Sequence, residues 1–271
     1  MKLSLSSERI AGAGVILMDV PVVDSLEALY RAAADFEVTD LGLAVEPAAL
    51  AAARRSLDES GFLLLGEVHG VRENPLVIRS LLQAFGLNGL ALEWPEDLAS
   101  TTGAFLLDGT LGDHPLLWVG DGRITAGHLA VLRERAAAGA LSLTLFDGTI
   151  GADWSWSQRD EAMARRILAA PGTGTGTLVV AGNAHTPTTS TSLGMPLGAC
   201  LAHQRAGIRE IRISYGGGHY YNMQPRQFRR HARPRRRQPR LHQRRGTLIL
   251  DLPIAGEAIV PQQPWPTGPH R

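Results

Sequence analysis

From about residue 60 onward, short apolar runs alternate with longer amphipathic segments along this 271-residue chain. The runs at 62–66, 89–93, 141–146, 177–182 and 208–215 are short, rich in branched residues and bounded by Gly or polar residues, which predicts strands. Between them, the spacing predicts helices over 74–85, 125–138, 157–169 and 196–206. Two further helices are expected upstream, over 26–36 and 47–60. Pro47 suits the first turn of the second and Gly61 its stop.

Strands that alternate with helices of this length predict an α/β fold, a three-layer α/β/α arrangement around a mainly parallel sheet. Such a sheet gathers the carboxyl ends of its strands on one edge, where ligands bind in open α/β folds. The expected organisation is an N-terminal extension, 1–60, packed on a catalytic core, 61–225. An Arg-rich loop, 226–245, a last strand within 246–260 and a disordered Pro-rich tail, 261–271, complete it. The stretch 97–124, rich in Gly, Thr and Asp, breaks the rhythm and is expected to form a lid or pocket wall near that edge.

Composition narrows the classes. With 44% hydrophobic and 20% charged residues, the chain has the makings of one large core. The single Cys200 sits in an apolar stretch, so no internal disulfide is possible. The run Ile10–Met18 is flanked by Glu8 and Asp19 and lacks an evident cleavage site, so it reads as a strand; no apolar stretch reaches the roughly 20 residues of a membrane span. A cytoplasmic location is the expectation. Gly-rich 171–176 precedes a strand and does not link a strand to a helix, and no Walker lysine follows it, which argues against a nucleotide cradle. The net charge of +1 hides an asymmetry: ten Arg and no acid lie within 226–245, leaving 17 basic against 26 acidic residues elsewhere. A solvated loop, or contact with a polyanion through Arg226 to Arg245, accounts for such a segment.

The chemistry concentrates at the predicted strand ends. Gly66-Glu67-Val68-His69-Gly70 follows the first core strand, Glu93 ends the second, Asp147 the third, and Gly182-Asn183-Ala184-His185 the fourth. Imidazoles with ordinary pKa values near 6.5 can take a proton from water and return it to a leaving group, with Glu67 or Glu93 fixing a tautomer. The same four residues, Glu67, His69, Glu93 and His185, are also of the types that hold a divalent metal. Glu-x-His turns its side chains to opposite sides of an extended segment, so both face one site only if the chain bends, which Gly66 and Gly70 permit. Asp147, Asn183, His219 and Tyr220 are candidate substrate-binding residues at the same edge. Trp154, Trp156, His114 and His128 are further candidates for the pocket or for ordinary packing.

Taken in order, Gly-Glu-Val-His-Gly, then Arg72-Glu73-Asn74 and a helix, then Leu92-Glu93, then Arg159-Asp160-Glu161-Ala162-Met163-Ala164 leading into Gly-Asn-Ala-His, resemble the erythromycin esterase-like, ChaN-like and Tiki-like superfamily over residues 60–222. The resemblance implies an α/β/α fold in which Glu67, His69, Glu93 and His185 line one pocket, with Arg72 beside them. It implies a hydrolase that directs water at an ester, lactone or amide of a small-molecule substrate, with His69 as base, Glu67 or Glu93 orienting it, and His185 as second acid/base or oxyanion partner. Only Val68 separates Glu67 from His69, which is closer to the ChaN-like than to the macrolide-esterase pattern. The ChaN-like resemblance implies the alternative, a haem- or iron-binding protein with ligands among His69, His185, Tyr220 and Tyr221.

Overall fold

The structure, a computed structural model, describes residues 22–139, 141–148, 154–229 and 238–263. The expected strand over Ile10–Met18, the centre of the Arg-rich segment and most of the Pro-rich tail lie outside the described residues. In chain order the strands are β1 (Val22–Val23), β2 (Ala44–Val45), β3 (Phe62–Glu67), β4 (Gly89–Pro95), β5 (Ser142–Asp147), β6 (Thr177–Gly182), β7 (Arg209–Tyr215), β8 (His219–Asn222), β9 (Gln224–Gln227), β10 (Arg240–Arg244), β11 (Thr247–Leu252) and β12 (Val260–Pro261). The helices are α1 (Leu26–Ala34), α2 (Pro47–Ser60), α3 (Asn74–Phe85), α4 (Ala99–Asp108), α5 (Ala126–Ala137), α6 (Trp156–Ala169) and α7 (Leu197–Gln204).

Eight strands form one sheet in the order β2-β10-β11-β7-β3-β6-β4-β5, parallel throughout except where β10 runs antiparallel to β11. Alternation along the central strands divides the core in two. Leu63, Leu65, Leu90, Leu92, Leu178 and Val180 point to one face, against Leu29 of α1, Ala53 of α2, Leu81 of α3 and Leu129 of α5. Leu64, Ala91, Val179 and Ala181 point to the other, against Met163 and Ile167 of α6 and Leu197 and Leu201 of α7. Both faces are covered, as the near-continuous apolar runs require, and the fold is a three-layer α/β/α sandwich.

The helix boundaries follow from local signals. Pro47 opens α2 and Gly61, at φ 81°, closes it in the left-handed region. Ser155 and Gln158 form a reciprocal capping box at the start of α6, which fixes the entry of the helix that carries Arg159 and Asp160. The stretch 97–124 begins inside the 3₁₀ turn Glu96–Leu98 and contains α4 and the 3₁₀ turn Pro115–Trp118.

The N-terminal region is joined to the sheet, because β2 pairs with β10. The Arg-rich segment differs from a plain loop at both ends. Gln224–Gln227 pairs with β8, and Arg240–Arg244 pairs with β11 and ion-pairs with Glu46 through Arg240. Alternating burial, with Leu241 fully buried between Arg240 and His242, is what lets an Arg-rich sequence serve as a strand here. Among the described residues, no helix is long and apolar enough to cross a membrane.

Candidate active site

In the order β3-β6-β4-β5 the carboxyl ends of four parallel strands lie side by side. They deliver Glu67, Gly182, Glu93 and Asp147 to one line along the sheet edge. Glu67 pairs in register with Gly182. The β4–β5 register shifts between Leu92 and Pro95, while alternation along β4 continues: Leu90, Leu92 and Trp94 pack on one face and Glu93 turns to the other, toward Arg159 of α6.

Glu93 is the centre of the cluster, and 3% of its side chain is exposed. Its Oε2 accepts the Gly182 N–H at 2.7 Å and lies 3.6 Å from His69 Nε2. Its Oε1 accepts from Arg159 Nη2 at 3.1 Å and lies 3.5 Å from His185 Nε2. Each imidazole is held from behind by another carboxylate: His69 Nδ1 is 3.1 Å from Glu67 Oε1, and His185 Nδ1 is 2.8 Å from Asp160 Oδ1. Asp160 is fully buried, and its Oδ2 accepts the Leu197 N–H at 2.7 Å, so the carboxylate also caps the start of α7. The Trp156 ring stacks on His185 with centroids 4.3 Å apart and planes 9° apart.

The bend that turns Glu67 and His69 to the same side is held at Val68. Its N–H donates to Tyr215 Oη at 3.0 Å, Tyr215 Oη donates to Asn74 Oδ1 at 3.0 Å, and Asn74 Nδ2 donates back to the Val68 carbonyl at 2.9 Å. Gly70 follows at φ 76°, packed on the Tyr221 backbone in a space no side chain could share. Gly66 is closely packed against Thr186 and adopts no left-handed conformation. At Gly182 the constraint is proximity, since a Cβ there would stand 3.1 Å from His69 Nε2.

Two guanidinium groups complete the centre. Arg159 binds Asp147 through Nε at 3.2 Å and Nη2 at 2.9 Å, and its Nη1 lies 3.4 Å from His185 Nε2. Arg123 donates to Asp147 Oδ2 at 2.5 Å and to Asp121 Oδ2 at 2.6 Å. Burial works to raise the Glu93 carboxyl, but His69, His185, Arg123 and the Gly182 N–H outweigh it and hold the pKa at about 2. For His69 burial is the largest single influence and lowers the pKa. The hydrogen bond to Glu67 and the charges of Glu93 and Glu67 overcome burial and Arg123, so the net shift is upward. His128, on α5, is buried with its Nδ1 2.9 Å from Thr125 Oγ1, and burial drives its pKa down to about 4.

Glu67, His69, Glu93, His185 and Asp147 therefore converge. Arg72 does not: it is exposed and packs beside Gly256. The Asn183 side chain is exposed, and its backbone N–H donates to the Glu67 carbonyl at 2.8 Å. His219 is exposed on β8, where strand alternation turns it from the core, and Tyr220 packs on Phe228 with ring centroids 4.5 Å apart. Trp154 is exposed, and His114 caps the turn Pro115–Trp118. Arg123, Asp160 and Tyr215 had no place among the expected site residues. For Asp160 a signal existed in its adjacency to Arg159 within the helix motif, whereas nothing in 97–124 marks Arg123 apart from neighbouring acids.

Among the described residues, no group of three or more His, Cys, Asp or Glu is arranged to hold a metal ion. Arg159 donates to Glu93 Oε1 at 3.1 Å and stands 3.4 Å from His185 Nε2. For haem ligation, the Nε2 atoms of both histidines face Glu93, and the Tyr221 hydroxyl is bound to Gln262 Oε1 at 2.6 Å. What the cluster can do is hold two oriented imidazoles and two fixed positive charges at one edge. Arg123, His69 and Arg159, at 20%, 15% and 14% side-chain exposure, are the members that solvent reaches.

No protein-family model matches the chain, and no curated protein matches it. Among solved structures, the chain is similar to a crystal structure of a Bacillus cereus protein, with a TM-score of 0.45, 11% identity, and coverage of 73% of this chain and 90% of that one. A structure described as bacterial protein toxins has a TM-score of 0.41 and 17% identity over 65% of this chain, which spans 38% of its length.

Proposed function

We propose that the protein is a hydrolase of the erythromycin esterase-like and ChaN-like superfamily that adds water to an ester, lactone or amide by acid–base catalysis. The observation that carries this reading is the convergence of His69 and His185 on Glu93, each imidazole oriented through Nδ1 by its own carboxylate. Carboxylate-oriented imidazoles pointing Nε2 into a shared space are suited to proton transfer.

The two histidines take different roles. His69 lies between Glu67 and Glu93, whose hydrogen bond and charges favour its protonated form, which suits it to donate a proton to the leaving group. His185, with Nδ1 held by the Asp160 carboxylate, is the imidazole left to take the proton of water at Nε2. In this proposal His185 takes the role of base that the sequence alone assigns to His69. Arg123 and Arg159 are fixed positive charges for the oxyanion of the tetrahedral intermediate. The buried Oε2 of Glu67 has no protein partner and can accept a hydrogen bond from substrate or water.

The test is hydrolysis of p-nitrophenyl esters by the purified protein and by His69→Ala and His185→Ala. Each variant should lose about 10²- to 10⁴-fold in kcat with an unchanged far-ultraviolet circular dichroism spectrum. Full turnover by both variants would remove the acid–base assignment.

A further inference from the structure

Beside the ion cluster, at the same sheet edge, lies a cavity of about 350 Å³ that the acid–base centre itself does not use. Arg123 and Asp147 form its polar side, and Pro95, Leu117, Val119 and Ile124 contribute apolar surface. The same Arg123 and Asp147 touch Glu93 or its partner Arg159, so the cavity opens one ion pair away from the residue on which both histidines converge. A small-molecule subsite has this form, an apolar wall with a few polar groups at one end, and this volume is at the lower end of the usual range of about 300–1,000 Å³.

We propose that this cavity is the acyl subsite of the hydrolase, taking an uncharged apolar chain of medium length. The inference rests on the hydrolase reading for its reaction but not for its binding. The charges choose between kinds of chain. Asp121 and Asp147 on the cavity wall are already taken by Arg123 and Arg159, so the described lining residues offer no uncommitted cation to a chain ending in a carboxylate. Arg123 itself is already engaged by Asp121 and Asp147, which leaves it no strong demand for an anionic ligand. The apolar residues come mainly from the 3₁₀ turn Pro115–Trp118 and the loop after it, so the stretch 97–124 walls the site. Each methylene buried there should raise kcat/KM about fourfold until the cavity is full.

The experiment compares p-nitrophenyl acetate with p-nitrophenyl hexanoate, using the full chain and the variants Val119→Trp and Leu116→Trp, both at cavity-lining residues outside the ion cluster. The ratio of kcat/KM for hexanoate over acetate should exceed 10 in the unaltered protein and fall at least tenfold in the variants. Binding of 1-hexanol, followed by saturation-transfer difference NMR, reads the cavity without chemistry and should be lost in the same variants. Equal rates on the two esters overturn the acyl subsite while leaving the hydrolase reading in place. If neither ester is hydrolysed, the hydrolase reading falls, and 1-hexanol decides the cavity: saturable binding lost in the variants upholds an apolar-chain pocket, and no binding overturns it. Circular dichroism checks that both variants are folded, and a variant that is not is replaced by Ile124→Phe.

Discussion

Asp160 and His185, 25 residues apart, meet at 2.8 Å through Oδ1 and Nδ1, and the other oxygen of Asp160 takes the first backbone N–H of α7. One fully buried carboxylate thus joins the histidine after β6 to two helices of the same layer. In Asp160→Asn one oxygen remains for the Leu197 N–H while the amide opposes the Nδ1–H tautomer of His185. The expected result is a fall in kcat of at least 10²-fold with a modest loss of stability, about 1–3 kcal/mol, read by ester hydrolysis and by urea denaturation.

The raised pKa of His69 gives a signed pH dependence. A histidine whose folded pKa exceeds its unfolded value contributes stability that is complete below about pH 6.5 and is lost as pH rises through the raised value. In the proposed role of proton donor it should also impose a falling alkaline limb on kcat. His69→Gln should abolish that limb and flatten the stability profile across neutral pH; an unchanged limb would show that another group supplies the proton.

His128 acts in the opposite direction. Its pKa of about 4 keeps the buried ring neutral, while the unfolded chain binds a proton near pH 6.5. The folded state therefore loses stability as pH falls from about 6.5 to 4, by up to roughly 3 kcal/mol. In His128→Gln this dependence should disappear from denaturation midpoints measured between pH 7 and 4.

Gly182 is where closeness alone is at stake. Its virtual Cβ would lie 3.1 Å from His69 Nε2 and 3.5 Å from Glu93 Oε2, so Gly182→Ala must displace the imidazole by a few tenths of an ångström. Displacement of about 1 Å in a reacting centre can cost about 10²-fold, and a drop of roughly 10-fold in kcat with a near-normal Tm is expected here.

The fold was legible because the chain advertises it. The runs Phe62–Glu67 and Thr177–Gly182 are apolar on both faces and end at glycines or carboxylates, and Pro47 with Gly61 marks both ends of a helix. Glu67, His69, Glu93, Asp147 and His185 were legible for the same reason, since strand ends in a parallel sheet share an edge. Arg123 was not, because a loop residue enters the centre through the path of 97–124, which no periodicity encodes. Asn183 and His219 show the converse: adjacency in sequence to a strand end does not decide the side to which a residue turns. The strand Arg240–Arg244 escaped notice because five positions with one strongly buried residue, Leu241, carry almost no pattern.

The loop of hydrogen bonds through Val68, Tyr215 and Asn74 has a consequence for how the protein is made. Tyr215 enters the chain 147 residues after Val68, so a ribosome must release most of the sheet before the Glu67–His69 bend gains its last partner. Nascent chains shorter than this can pair β3 with β6 and still hold an unfixed His69. A chain synthesised past His185 but short of Tyr215 carries both histidines and lacks the clamp that aims the first of them.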